Sequence, residues 1–345
     1  MKLGMPISYA GGFRDAAAQA IALENAGLDI VWVAEAYGFD APSFMGYLAA
    51  VTERVEIAAG ILPLYTRTPT LLAMTAAGID ALSDGRCILG LGASGPQVIE
   101  GWHGVPYTAP LGRTREIVDI CRAVWRRERI TYEGASYQLP LPPDQGTGLG
   151  KPLKLITRPV RERIPIYVAS LGPKNVRLTA EIADGWLPFI YLPERAGDVW
   201  GDDLAAGAAK RSPELAPLDV VAAAMVAVGD DAAGFRDYAR PMLALYIGGM
   251  GARGKNFYND VACRYGYEAE AKQIQDLYLD GHKDEAAKAI PDALLEATTI
   301  CGSEGYVRDR LAAYKASGVT VLNTTLIGED VPALAGRLKE WMEHA

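Results

Sequence analysis

Short apolar runs alternate with helical periodicities along nearly the whole chain. Runs rich in Val, Ile, Leu and Ala predict strands at Lys2–Ile7, Ile30–Ala34, Val55–Gly60, Cys87–Leu91, Ile164–Ala169, Trp186–Ile190, Val220–Val228 and Val319–Leu326. Near-continuous apolar runs suit parallel strands that are covered on both faces. Between them lie helical patterns. Phe13–Ala26 stops at Gly27, and Thr68 caps a helix that opens with Pro69, carries Leu72, Ile79 and Leu82 on one face and ends before Gly85. Arg115–Arg126 buries Ile117, Ile120, Cys121 and Val124; Pro173–Asp184 ends at Gly185; Ser303 caps a helix with Val307, Leu311 and Tyr314 that stops at Gly318. Eight strands alternating with helices predict an α/β protein, a closed (β/α)8 TIM barrel in preference to an open doubly wound sheet. No G-x-G-x-x-G opens a first helix, which weakens the dinucleotide-binding version of the open sheet.

Two segments exceed the minimal barrel. The first, 131–163, contains LPLPPDQGTGLGKPL and reads as a long ordered loop; the second, roughly 231–300, contains GGMGARGKNFYND and two further helical stretches. Long insertions in a barrel shape its mouth or an oligomer contact, although the Gly-rich tract is equally compatible with a plain helix connector. Neither reads as a separate domain, so residues 1–345 are expected to form one domain.

Composition narrows the function. Net charge is −8 with no basic block, which argues against a nucleic-acid partner held through phosphates. No run of about 18 uncharged apolar residues exists to cross a membrane. The N-terminus MKLGMPISYAGG lacks the apolar core of a signal peptide, so a cytoplasmic protein is expected. Cys87, Cys121, Cys263 and Cys301 are widely spaced and read as reduced; the three histidines are scattered, so no metal site is expected.

In a TIM barrel the site lies at the C-terminal ends of the strands. Those ends carry Ser8 and Tyr9, Glu35 to Tyr37, Gly60 and Ile61, Gly92 to Ser94, Ser170 to Gly172, and Asn323 to Thr325. They hold no His–carboxylate pair and no Cys–His pair. A mouth so poor in ionisable groups suits a cofactor that carries the reaction itself, or a binding barrel without catalysis.

Along these strand ends the chain resembles a known family. IVWVAEAYGFDAPS, VEIAAGILPLYTRTPTLLAMTAAGIDALSDGRCILGLGASGPQ, IPIYVASLGPKNVRLTAEIADGWLP and GSEGYVRDRLAAYKASGVTVL are together similar to the luciferase-like monooxygenase and reductase superfamily. AEAYG and GGMGARGKNFYND resemble its branch that uses the deazaflavin coenzyme F420, with FMN the alternative cofactor. The resemblance implies a hydride transfer between the deazaflavin and a small organic substrate. FMN-dependent monooxygenation and a non-catalytic flavin or deazaflavin carrier are the alternatives.

The resemblance also implies a site. Gly60–Ile61 corresponds to a non-prolyl cis peptide against the deazaflavin ring, although Gly60 also reads as an ordinary strand-end glycine. Gly90, Gly92 and Ser94 approach the ring, with Ser8 and Ala169 nearby. Ser170, Gly172, Pro173 and Lys174 open a helix whose free N–H groups suit a phosphate, the plainer reading being a helix start with no ligand. Glu35 stands where the family contacts the ring edge, and it also reads as a structural ion pair. His103 is the histidine near a top loop that suits acid–base work; a lone loop histidine is equally a structural one. Ala36 and Ala93 replace the His and Glu of the sugar-phosphate dehydrogenases of the family, and Ala36 also the His of its methanogen reductases, which argues against both substrate classes. Tyr9, Tyr37, Tyr65 and Trp102 are expected to line an apolar pocket. A homodimer is implied by the family, packed through the Ala-rich faces Ala16–Ala20 and Ala73–Ala77.

Overall fold

The computed structural model describes residues 1–8 and 11–344; Tyr9 lies outside them. Eight parallel strands close into a barrel: β1 (Lys2–Pro6), β2 (Ile30–Val33), β3 (Glu56–Ala59), β4 (Cys87–Gly92), β5 (Ile166–Ala169), β6 (Gly185–Leu187), β7 (Asp219–Val228) and β8 (Val321–Ile327). Each pairs with the next in sequence, and closure comes from β8 lying beside β1 with Lys2 opposite Val321. The fold is therefore the (β/α)8 barrel that the alternation predicts.

The helices are α1 (Phe13–Asn25), α2 (Ala41–Val51), α3 (Pro69–Leu82), α4 (Pro96–Gly101), α5 (Pro110–Trp125), α6 (Pro173–Ile182) and α7 (Ala196–Ala208). Then come α8 (Arg240–Ala244), α9 (Phe257–Arg264), α10 (Glu268–Leu279), α11 (Lys283–Lys288), α12 (Asp292–Thr298), α13 (Glu304–Ala316) and α14 (Val331–His344). Local signals placed several of these ends. The Thr68 hydroxyl accepts from Leu71 N at 3.2 Å, the Ser303 hydroxyl from Tyr306 N at 3.4 Å, and Gly27, Gly85 and Gly318 follow their helices at positive φ. Only glycine adopts that conformation without strain.

Strand alternation sorts the core into two layers. Ile30, Trp32, Ala58, Ile88, Tyr167, Val221 and Val321 pack inside the barrel, while Leu3, Val31, Ile57, Leu89 and Leu322 face the helices. The interior is closed at its N-terminal end by Tyr167, whose hydroxyl donates to Asp219 at 2.5 Å, and by Lys2 against Glu56.

Three expectations change. The first insertion carries an antiparallel ribbon, Tyr132–Glu133 with Gln138–Leu139, in place of a plain loop. Its turn is held from α5, where the Glu116 carboxylate accepts from the N–H groups of Ala135, Ser136 and Tyr137. Two-residue strands are too short to show a period. The second insertion holds far more than two helices: a 3-10 segment Ala232–Ala239, α8, a π turn Leu245–Gly249, then α9 to α12, and finally a strand Thr299–Gly302 that pairs with the upper half of β7. Its turns pack by close approach; a β-carbon on Gly248 would stand 2.6 Å from Tyr278 Cβ. The Ala-rich faces are not free for a partner, because Ala16, Ala17, Ala20, Ala73, Ala76 and Ala77 are buried within the chain. Small residues there let α1 and α3 lie close to the barrel.

Candidate functional site

Above the Trp32 layer the inward positions turn small, so the C-terminal end of the barrel opens as a cup. Gly60 is half-buried, and a β-carbon on it would lie 3.3 Å from Trp32 Cε3. The Gly60–Ile61 peptide is cis. Opposite Ile61 lies Gly92, where a β-carbon would meet Ile61 Cγ1 at 2.9 Å and Ala169 Cβ at 3.4 Å. Gly60, Ile61, Gly92 and Ala169 thus come together as one apolar wall. Gly90 serves another purpose: a β-carbon there would stand 1.7 Å from Ala59 O, so its lack of a side chain lets β3 and β4 approach and does not face a ligand. Ser94, exposed and at φ 57°, ends the strand, and its carbonyl accepts from the Tyr107 hydroxyl at 3.4 Å. Ser8 is exposed at the rim and donates to Gly11 O at 3.3 Å.

The carboxylate of Glu35 is fully engaged. Arg67 Nη1 donates to Oε1 at 2.6 Å, Arg67 Nη2 to Oε2 at 2.8 Å, and Ala41 N to Oε2 at 2.8 Å. Such a fork-on-fork contact fixes both side chains. Glu35 therefore has the geometry of the ion pair and not of a free acid or base. Arg67 escaped sequence reasoning because nothing local ties TRTP to AEAYG.

At the end of β5 the chain enters α6 through Gly172, with Pro173 first in the helix and no side chain capping its N–H groups. Pro173 has no N–H, and Asn175 N and Val176 N donate to Gly172 O at 3.0 Å, so the N–H in the first turn that is left to an anion is that of Lys174. Ser170 is not part of that cradle: it is buried, and its hydroxyl lies 2.8 Å from Thr179 Oγ1 beneath the turn. Thr179 in turn donates to Asn175 O, so the Ser170 proton is directed into the helix. Lys174 is exposed and lines a groove of about 320 Å³ between α5 and α6, together with Arg115, Arg177, Glu181 and Lys210. Arg115 pairs with Glu181 at 2.9 Å and Arg177 with Asp203 at 2.6 Å, while the groove remains net positive in a chain of charge −8.

The second insertion walls the cup from above. Phe257, at the start of α9, lies 3.6 Å from a β-carbon on Gly172. Its neighbour Tyr258 packs against Phe189, just beyond β6, and against Tyr246, with ring centroids 5.3 and 4.8 Å apart. Asn256 holds this turn: its Oδ1 caps α9 and its Nδ2 donates to Tyr246 O and Ile247 O. Burial pushes the Tyr258 phenol up, helped by Tyr246 and Tyr107 nearby. Burial likewise raises Tyr107, and it raises Tyr65 to about 12 against the opposing charge of Arg113. All three stay protonated at neutral pH.

Of the expected pocket residues, Tyr65 is buried with its hydroxyl donating to Thr108 O at 3.0 Å. Tyr37 and Trp102 are largely exposed and face each other at 6.3 Å, which draws the loop after β4 toward β2. In that loop His103 is half-buried, and its Nε2 is buried without a hydrogen-bond partner among the described residues.

The fold and these strand-end features define a (β/α)8 barrel with a cup at the C-terminal end of its strands and a helix start without a side-chain cap after the fifth. The sequence model of the luciferase-like monooxygenase family matches residues 1–321, and the chain belongs to that family. It is 46% identical over 331 residues, 94% of this chain and 95% of the relative, to a Mycobacterium tuberculosis protein described as a "putative coenzyme F420-dependent oxidoreductase". It is 28% identical over 315 residues, 89% and 88% of the two chains, to the 5,10-methylenetetrahydromethanopterin reductase of Archaeoglobus fulgidus. Among solved structures, the coenzyme F420-dependent tetrahydromethanopterin reductase of Methanopyrus kandleri superposes with a TM-score of 0.82 at 21% identity, covering 99% of both chains; that likeness concerns the fold.

Proposed function

We infer that the protein is a coenzyme F420-dependent oxidoreductase that transfers a hydride between the deazaflavin and a small organic substrate. The observation that carries this reading is the chemistry of the mouth. Its carboxylate, Glu35, is locked by Arg67 and is not free for acid–base work, which suits a bound redox cofactor that carries the reaction itself. Kinship with F420-dependent reductases supports the choice of cofactor.

The residues present fit such a group. The absent side chains of Gly60 and Gly92 make room for Trp32 and Ile61, and the apolar wall so formed with Ala169 suits the face of a flat ring. Lys174 would hold a phosphate at the start of α6 through its backbone N–H and its side-chain charge. When bound, the deazaflavin supplies a carbon that gives or takes a hydride. Tyr258, Tyr246 and Phe189 exclude water from above, and we assign the accompanying proton to His103, the half-buried histidine of the loop after β4. The substrate is a neutral small molecule.

We further place the enzyme in the cytoplasm, as one domain that forms a homodimer. Support for a dimer comes from the outer face of α3, where Leu71, Met74 and Leu82 are exposed, and from Leu149, Leu153 and Ile156 of the first insertion. Sedimentation velocity at micromolar concentration gives a dimer mass if this holds, and Met74→Asp gives a monomer.

A fluorescence titration with oxidised F420 and, separately, FMN tests the reading. Saturable micromolar binding of F420 with much weaker FMN binding is the expected result. Preference for FMN with oxygen uptake moves the assignment to a monooxygenase. F420 binding without turnover of any hydride donor makes the protein a carrier.

A further inference from the structure

The groove between α5 and α6 carries more positive charge than the cofactor's phosphate requires. Its volume is about 320 Å³, and Arg115, Lys174, Arg177 and Lys210 line it against one carboxylate, Glu181. Arg115 is tied to Glu181, and Arg177 to Asp203. Lys174 and Lys210 are exposed and pair with no carboxylate among the described residues. In a chain of net charge −8, such an excess of cations is not a general property of the surface.

Two helices begin at the upper end of this groove. No side chain caps α5, and its first residue, Pro110, has no N–H. Arg113 N donates to Ala109 O at 3.0 Å, which leaves the N–H groups of Leu111 and Gly112 without an acceptor among the described residues. Both residues line the groove, as does Lys174, whose own N–H is the one left free in the first turn of α6. Unpaired N–H groups at a helix start favour negative charge, so the backbone and the side chains select the same sign of ligand. Lys174 is also the residue placed at the cofactor phosphate, so the groove begins where that phosphate sits. From Lys174 to Glu181 it follows α6 for about 10 Å, the reach of about three extended residues. A single small anion would use one end of it; a chain bearing several carboxylates uses its length. We propose that the α5–α6 groove is a subsite for an oligocarboxylate chain that continues from the cofactor phosphate. This rests on the F420 reading and names how the far end of that cofactor is held.

The test uses coenzyme F420 in two forms, with and without glutamates attached beyond the phosphate, in fluorescence titrations of the purified protein. The form with glutamates is expected to bind about tenfold more tightly at low ionic strength, since several partly exposed charges each contribute a little. In about 0.5 M salt the advantage should vanish, because exposed charges are then screened. Lys210→Glu should cut the advantage to about twofold while leaving the affinity of the shorter form unchanged; Lys210→Gln gives a smaller loss in the same direction should the first variant fail to fold. Free tetraglutamate should compete with the longer form and not with the shorter. Equal affinity of the two forms, an advantage that both Lys210 variants retain, or absence of that competition overturns the proposal and leaves the F420 reading standing. Binding of neither form removes the F420 reading and this subsite with it.

Discussion

Glu35 and Arg67 meet through two parallel hydrogen bonds of 2.6 and 2.8 Å, joining the loop after β2 to the loop that leads into α3. Both side chains are mostly buried, and the same carboxylate holds the first N–H of α2 through Ala41. The pair sets the rim of the cup above Gly60. Removing one partner leaves a charge without its counterion in a poorly solvated place. Arg67→Leu is therefore expected to destabilise the protein by about 3 kcal/mol in urea denaturation, and Glu35→Gln by about 1–2 kcal/mol because the amide still accepts from Ala41 N. A cofactor affinity that falls no further in Glu35→Gln than the rim displacement requires would mark Glu35 as a positioning residue. A collapse of activity with intact affinity and stability would mark it as catalytic.

The glycines of LGLG separate by their neighbours. Gly90→Ala places a methyl group 1.7 Å from Ala59 O, which only a parting of β3 and β4 relieves, and the variant is expected to be insoluble. Gly92→Ala meets the flexible Ile61 side chain at 2.9 Å, so it folds with a loss of roughly 1–3 kcal/mol and binds F420 more weakly. Soluble yield, thermal midpoint and an F420 titration check both. A soluble Gly90→Ala protein would contradict the assigned strand contact.

Gly172→Asp makes opposite predictions for stability and binding. An aspartate at this N-cap finds only ordinary contacts, 3.6 Å or more from the Phe257 ring, and can accept from the Lys174 N–H in the first turn of α6. The thermal midpoint should stay the same or rise slightly, since Asp caps a little better than Gly. F420 affinity should drop at least tenfold, because a fixed carboxylate occupies and repels the phosphate position. Unchanged affinity would move the phosphate elsewhere, with the Lys174 groove the next place to examine.

Acid stability should trace in part to Glu24. Burial at the end of α1 acts to raise its pKa, yet the N–H groups of Val55, Arg54 and Glu53 donate to the carboxylate and hold it below its ordinary value of 4.5. A lowered pKa stabilises the fold above the unfolded value, and the contribution is lost as pH falls through the folded one. The urea midpoint should decline below about pH 4.5, and Glu24→Gln should flatten that decline while lowering stability at neutral pH. An identical acid profile in the variant would assign the decline to other carboxylates.

Much of the architecture was legible along the chain because it is local. The parallel strands announce themselves through runs such as Ile30–Val33 and Cys87–Gly92, buried on both faces. Thr68, Ser303 and the glycines at 27, 85 and 318 mark helix ends by chemistry that operates within a few residues. Helix α7, with three glycines and three aspartates in AGDVWGDDLAAGA and no side-chain cap, shows no such signal; neighbours hold it in place.

The site divides in the same way. Pattern and kinship pointed to the strand ends, to Gly60–Ile61 and to the start of α6, because each is defined by short-range backbone geometry. Only the folded chain could decide that Glu35 is spent on Arg67, that Ser170 turns inward to Thr179, and that Gly90 serves the β3–β4 contact. It alone brings Leu111, Lys174 and Lys210 to one groove, from segments that lie far apart in sequence. Hydrophobic periodicity specifies which face of an element is buried. Which polar atoms then find partners depends on barrel closure and on side-chain direction, and no interaction between neighbours along the chain encodes either.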